Sequence, residues 1–129
     1  GILLGIRSSN DLYFYEWSQF NLIIKINVSA INIYWNNNSS LCCICETNTI
    51  HILKYNSNIV EHFIDSNEFP EFGIIDAFES IFDLNENIVT GLWINDCFIF
   101  TNKSNRLCYL ISDQLFTLSP IDKYIWLCI

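Results

Sequence analysis

Of the 129 residues, 51% are hydrophobic and 16% charged, a balance that provides a core and excludes intrinsic disorder for most of the chain. Fourteen Asp and Glu against six Lys and Arg leave a net charge of −8, which repels phosphate backbones and anionic lipid and so removes nucleic acid and electrostatic membrane docking from the expected partners. No run approaches the roughly 18 apolar residues that a membrane helix needs. Gly1-Ile2-Leu3-Leu4-Gly5 lacks the basic start of a signal peptide. Met is absent altogether, initiator included, as expected of a segment of a longer protein.

Short apolar runs follow one another along the chain, each closed by polar turn residues. Residues 3–7 come first and stop at Ser8-Ser9-Asn10. Residues 11–17 are rich in rings (Tyr13, Phe14, Tyr15, Trp17), and 22–28 alternate around Lys25 and Asn27. The series continues with 31–35, 41–45 and 50–55, and resumes after a gap with 88–94, 97–101, 107–111, 115–118 and 124–129. Runs of four to seven residues, rich in Ile, Phe, Tyr and Trp and separated by Asn, Ser and Asp, predict an antiparallel meander. The predicted fold class is all-β.

The gap has its own character. No Lys or Arg occurs from Asn56 to Asn102, and eight carboxylates lie between Glu61 and Glu86. Pro70 and Gly73 require a turn in Phe69-Pro70-Glu71-Phe72-Gly73. Residues 60–64 suit one helical turn, and 74–84 read as helix or strand. The stretch 56–87 is expected to be a solvated acidic loop inserted between strands, with a docking loop for a basic partner as its functional alternative.

Candidate chemistry is sparse. Cys42, Cys43 and Cys45 share one apolar run, where period-two alternation sends Cys42 to one face and the other two to the opposite face. Neither Cys-Cys nor Cys-x-Cys matches the usual zinc spacing and no His lies at a partnering distance in sequence, so these three, with Cys97, Cys108 and Cys128, are expected to be reduced, buried thiols in a reducing compartment. His51 is expected to be a strand-face imidazole and His62 a solvated one, with no Cys–His nucleophile pair in view. The four glycines are scattered and form no phosphate cradle. Sixteen Asn and 22 Ile, with the tract Asn36-Asn37-Asn38, read as compositional bias. The glycosylation sequons at Asn27, Asn37, Asn38 and Asn102 then follow by chance. No catalytic, cofactor-binding or metal-binding residue is assigned, no cofactor is expected, and binding residues are left open. The chain is expected not to be an enzyme.

A repeat appears once the acidic stretch is set aside. Leu12-Tyr13-Phe14-Tyr15 aligns with Ile50-His51-Ile52-Leu53 at an offset of 38, and Leu107-Cys108-Tyr109-Leu110 follows 57 residues later, which is one period plus an insertion. About 40 residues and four strands per unit is the size of a WD40 propeller blade. The layout predicted is three strands of one blade, two full blades and the first strand of a fourth. Trp35, Trp93 and Trp126 then take the same phase of corresponding strands and are expected to pack between blades, with an exposed protein-binding patch as the alternative. Trp17 is expected to close an outer strand.

Several segments together carry a resemblance: Leu3-Leu4-Gly5-Ile6-Arg7-Ser8, Ile52-Leu53-Lys54-Tyr55, Ile75-Asp76-Ala77-Phe78-Glu79, and Thr90-Gly91-Leu92-Trp93 continuing through Asp96-Cys97-Phe98-Ile99-Phe100-Thr101 to Ser104-Asn105-Arg106-Leu107. In this order and spacing they resemble the later part of the second WD40 propeller of the COPI coatomer β′ subunits, over nearly the whole chain. The Asn36–Asn38 tract, the Cys-rich strand and residues 63–72 depart from it. The resemblance implies a cytoplasmic coat protein, peripheral on Golgi and COPI vesicle membranes, acting in transport between Golgi and endoplasmic reticulum. It also implies other coatomer subunits as partners, the α subunit among them. Cargo tails are read in that family by the upstream propeller, so no cargo-binding residue carries over to a position here.

The function expected is thus a structural coat segment working through protein–protein contacts. A WD40-type interaction module outside the coat and a ligand-binding closed β-barrel are the alternatives. Because an unclosed propeller leaves flanking faces bare, the isolated chain is expected to self-associate.

Overall fold

Apolar residues at alternating positions make strands of nearly every run read above. The computed structural model of the protein describes residues 2–111 and 114–120. In it β1 (Leu4–Arg7), β2 (Leu12–Tyr15) and β3 (Leu22–Ile26) pair in that order as a three-stranded sheet. A second sheet holds β4 (Asn32–Trp35), β5 (Leu41–Cys45), β6 (Ile50–Tyr55) and β7 (Phe78–Leu84). The third holds β8 (Ile88–Ile94), β9 (Cys97–Asn102), β10 (Arg106–Ile111) and β11 (Gln114–Pro120). All pairs are antiparallel between strands adjacent in sequence.

Register shows which strands correspond. The pairs Arg7–Leu12, Cys45–Ile50 and Thr101–Leu107 close equivalent turns, so β1, β5 and β9 match, as do β2, β6 and β10. The first sheet is therefore a blade without its first strand, followed by two four-stranded blades, as the repeat predicts. Residues 124–129, with Trp126 and Cys128, lie outside the described residues.

Two cores lie between the sheets. The first joins Leu12, Phe14 and Ile23 of the first sheet to Cys42, Ile44, Leu53 and Tyr55 of the second. The second joins Cys43, Cys45, Ile50 and Ile52 to Trp93, Phe98, Phe100, Cys108 and Leu110 of the third. The middle sheet is thus covered on both sides, and β5 divides its thiols between the two cores in the alternation read from sequence. Gly91 is required by this packing: a Cβ there would lie 2.7 Å from the ring of Phe98.

The acidic stretch differs from its expectation. A loop across 56–87 is replaced by a helix, a tight turn and the fourth strand of the blade. The single turn read at 60–64 extends to a ten-residue helix, α1 (Ser57–Ser66), ended by Asn67 in the left-handed region at φ 56°. Residues 74–84 resolve as a 3-10 turn (Ile75–Ala77) running into β7. Seven of the eight carboxylates are exposed and Glu86 is half-buried, while Val60, Ile74 and Ala77 are buried in the first core. The ambiguity over 74–84 arises because Ile81 bulges between paired residues, which breaks the strand period. Trp17 does not close a strand: β2 stops at Tyr15, and Trp17 lies in the turn leading to β3.

Trp35 and Trp93 both pack toward the preceding blade, as expected of inter-blade core. Trp35 sits at ring distances of 6.0 Å from Phe14, Tyr55 and Phe78. Trp93 lies 5.1 Å from the Phe98 ring and donates its indole N–H across the gap to the Tyr34 carbonyl at 2.8 Å. Trp93→Ala is expected to cost about 3–5 kcal/mol, and Trp93→Phe about 1–2 kcal/mol through the lost hydrogen bond, both read by chemical denaturation. An alanine variant as stable as the parent would remove Trp93 from the core.

Candidate interaction surfaces

Among the described cysteines, Cys42, Cys43, Cys97 and Cys108 are drawn away from the thiolate form that a nucleophile needs. All five within the described residues are free, and burial pushes the Cys42 thiol up to about 12. The Cys43 thiol is raised by its contact with Cys45, Sγ to Sγ 3.8 Å, and by burial. Burial likewise raises Cys97 and Cys108. Thiols held protonated act as small apolar side chains that fill the narrow space between sheets.

His51 proves to be more than a strand-face ring. It lies on the same face of β6 as Leu53 and Tyr55, and both its nitrogens are taken. Nδ1 meets Asp83 Oδ1 at 2.7 Å, and Nε2 meets Glu46 Oε2 at 2.8 Å. The other oxygen of Glu46 accepts the Ser29 backbone N–H at 2.9 Å, so the cluster reaches the linker that enters the middle blade. Burial pulls the imidazole pKa down, yet the two carboxylates outweigh it and the net shift is upward. The hydrogen bond from His51 and the Ser29 N–H hold the Glu46 carboxyl below its usual range. The carboxylates occupy opposite edges of the ring, so the three groups do not converge on a metal. No cluster of three or more His, Cys, Asp or Glu suited to a metal is found among the described residues. His62 is exposed on α1, as expected.

Other polar side chains shape turns. Asn36, inside the tract read as bias, is buried, and its Oδ1 accepts the backbone N–H groups of Ser40 and Leu41 at 2.9 and 3.0 Å. Asn102, also buried, takes the turn position equivalent to Glu46 and accepts from Ser104 and Arg106, each at 3.1 Å. Its amide donates to Glu86 in the next linker at 3.1 Å. Glu16 accepts from the hydroxyl of Ser18 and from the N–H groups of Ser18, Gln19 and Asn21. Led by the Ser18 hydroxyl and opposed by burial, these bonds hold its carboxyl at about 2. Such partners become visible only once turns and register are known.

The insert is the most distinctive surface. After the Pro70–Gly73 turn, Ile74 donates its N–H to the Ile23 carbonyl on the outer edge of β3 at 2.6 Å. Gly73 has φ +93°, and a Cβ there would lie 2.9 Å from that same carbonyl, so only glycine fits. An apolar cleft of about 200 Å³ also opens between the second and third blades, lined by Leu41, Ile52, Ile81, Trp93 and Leu110 with Asp96 beside them. No helix of the described residues is long and apolar enough to cross a membrane.

Comparison with known proteins places this geometry. The family described as "COPA/B second beta-propeller" matches residues 1–128. The chain is 38% identical over 128 residues to "Coatomer subunit beta'-1" of Oryza sativa subsp. japonica and 39% identical to "Coatomer subunit beta'" of Homo sapiens, covering 98% of this chain in each case. It spans 14% of the length of those relatives. Among solved structures, the N-terminal domain of Nup159 superposes with a TM-score of 0.58 at 10% identity, over 92% of this chain and 31% of that one, a likeness of fold alone.

The His51 cluster sets a pH dependence. A raised histidine contributes stability that is complete below its unfolded value near 6.5 and is lost as pH climbs through its higher folded value. The lowered Glu46 contributes above its unfolded value of 4.5 and loses that contribution as pH falls. Melting temperature should therefore drop on the alkaline side of pH 6.5 in the parent and less in His51→Gln. The gap between the two closes by about 0.5–1 kcal/mol, a figure reduced for partial exposure. Parallel curves for parent and variant would show that the cluster stores no such energy.

Proposed function

The chain belongs to the COPA/B second beta-propeller family, and we propose that it supplies scaffold blades to a COPI coat subunit. In this reading it acts through protein–protein contacts in intracellular transport between Golgi and endoplasmic reticulum. The observation that carries the reading is identity of 38–39% to coatomer β′ subunits over 98% of the chain. A blade architecture whose Cys42 and Cys43 thiols are held protonated and whose His51 is occupied by two carboxylates supports a structural role rather than a catalytic one. The partners proposed are other coatomer subunits, the α subunit among them, with the protein peripheral on Golgi and vesicle membranes from the cytoplasmic side. Cargo tails are proposed to meet the subunit elsewhere than on these blades.

The end blades support a further part of the reading, self-association of the isolated chain. Ile2 just before β1, Ile6 on the first sheet, and Ile111, Leu115 and Phe116 on the third are exposed. Light scattering of the 129-residue chain at high concentration is expected to give a mass above 15.1 kDa, and a strictly monomeric mass would oppose it. Affinity purification of the tagged full-length protein from its own cells should bring down the other coatomer subunits in stoichiometric amounts. Their absence from an otherwise clean preparation would leave the propeller as an interaction module outside the coat.

A further inference from the structure

The insert between β6 and β7 holds its backbone rigidly while turning two large apolar side chains outward. Phe72 is 85% exposed and Ile75 is 86% exposed, yet Ile74 between them is 2% exposed and Ala77 is fully buried. Five hydrogen bonds fix this stretch. Gly73 N–H binds Pro70 O at 3.2 Å, Ile74 N–H binds Ile23 O, and Ala77 N–H binds Ile74 O at 3.1 Å. Asn56 then closes the base: its backbone N–H goes to Ala77 O at 2.9 Å and its side-chain amide to Asp76 O at 2.8 Å. Gly73 is locked against β3 by the close approach described above.

A mobile loop tip loses conformational entropy when it docks, whereas a pinned backbone has already met that cost in folding. Large apolar side chains presented from a fixed backbone are the usual anchors of a protein interface, because they carry area and need little ordering. Here they are bracketed by the exposed carboxylates of Glu68, Glu71 and Asp76, with no Lys or Arg anywhere from Asn56 to Asn102. Charge then selects the partner. The carboxylates around Phe72 and Ile75 repel an anionic lipid surface and the like-charged insert of a second copy, which keeps this site apart from the end-blade contacts.

We propose that Phe72 and Ile75 form a docking knob that inserts into an apolar groove rimmed by Lys and Arg on another protein. The apolar pair supplies the anchor, and the carboxylates choose the rim and speed encounter. This inference rests on the insert alone and holds whether or not the coat reading does.

The test is a photo-crosslinking phenylalanine analogue at position 72 of the full-length protein, irradiated in its own cells, with the crosslinked peptide sequenced. The result expected is a single partner protein whose captured peptide carries Lys or Arg beside apolar residues. Yield should fall about tenfold when Glu71→Lys and Asp76→Lys are added. No crosslink, a crosslink to a second copy or to lipid, a captured peptide without basic residues, or a yield indifferent to charge reversal would each overturn the proposal. A second measurement guards against a structural role: Phe72→Ala with Ile75→Ala should leave the melting temperature unchanged, and a marked drop would show that the pair holds the fold instead.

Discussion

Everything in this molecule follows from the middle sheet having to be buried on both sides. A strand with water on one face can alternate apolar and polar residues, but β5 has no such face. Leu41–Cys45 is accordingly apolar throughout, as strands covered on both sides are. The gap on either side is already filled by rings, Phe14 on one flank and Phe98 with Phe100 on the other. What remains is room for side chains of modest volume that carry no demand for a hydrogen bond, and a protonated thiol meets both conditions. Identical logic places Gly91 under the Phe98 ring.

The polar residues that matter lie where this layering is interrupted. Turns and linkers at the blade ends leave backbone N–H groups without ladder partners, and side chains satisfy them. Glu16, Asn36, Glu46 and Asn102 each do so, and Glu46 and Asn102 also reach the linker that enters a blade. Arg7 acts similarly from the first sheet, donating to the Ala30 carbonyl at 3.0 Å. Blades are thus tied together along their rims by hydrogen bonds and across their faces by apolar contact.

How much of this could be read from sequence varied with the range of the interaction. Strand positions, their grouping into blades, the split of Cys42 from Cys43 and Cys45, and the inter-blade place of Trp35 and Trp93 all follow from periods of two and about forty residues. The His51 cluster could not be read, because Asp83 is 32 residues away and becomes a neighbour only through the β6–β7 register. Asn36 was hidden by composition: in a chain with 16 asparagines, one that templates a turn looks like any other. The insert misled because its charge is conspicuous and its buried residues are not. Val60, Ile74 and Ala77 keep no regular spacing, since helix, turn and strand follow each other within a few residues.

The hydrogen bond from Ile74 to Ile23 also bears on the order of assembly. The segment leading to the last strand of the second blade is seated on the outer edge of β3, so part of that blade's support lies in the first blade. Loop-closure entropy for 56–77 is lessened by α1, which shortens the flexible path, but the seat itself belongs to the first blade. Chain emerging from a ribosome would present β3 well before β7, so the template is ready when the strand arrives. Two adjacent blades are in this way made a single cooperative unit, and a disturbance at Gly73 would be felt as much in the sheet it leans on as in the sheet it serves.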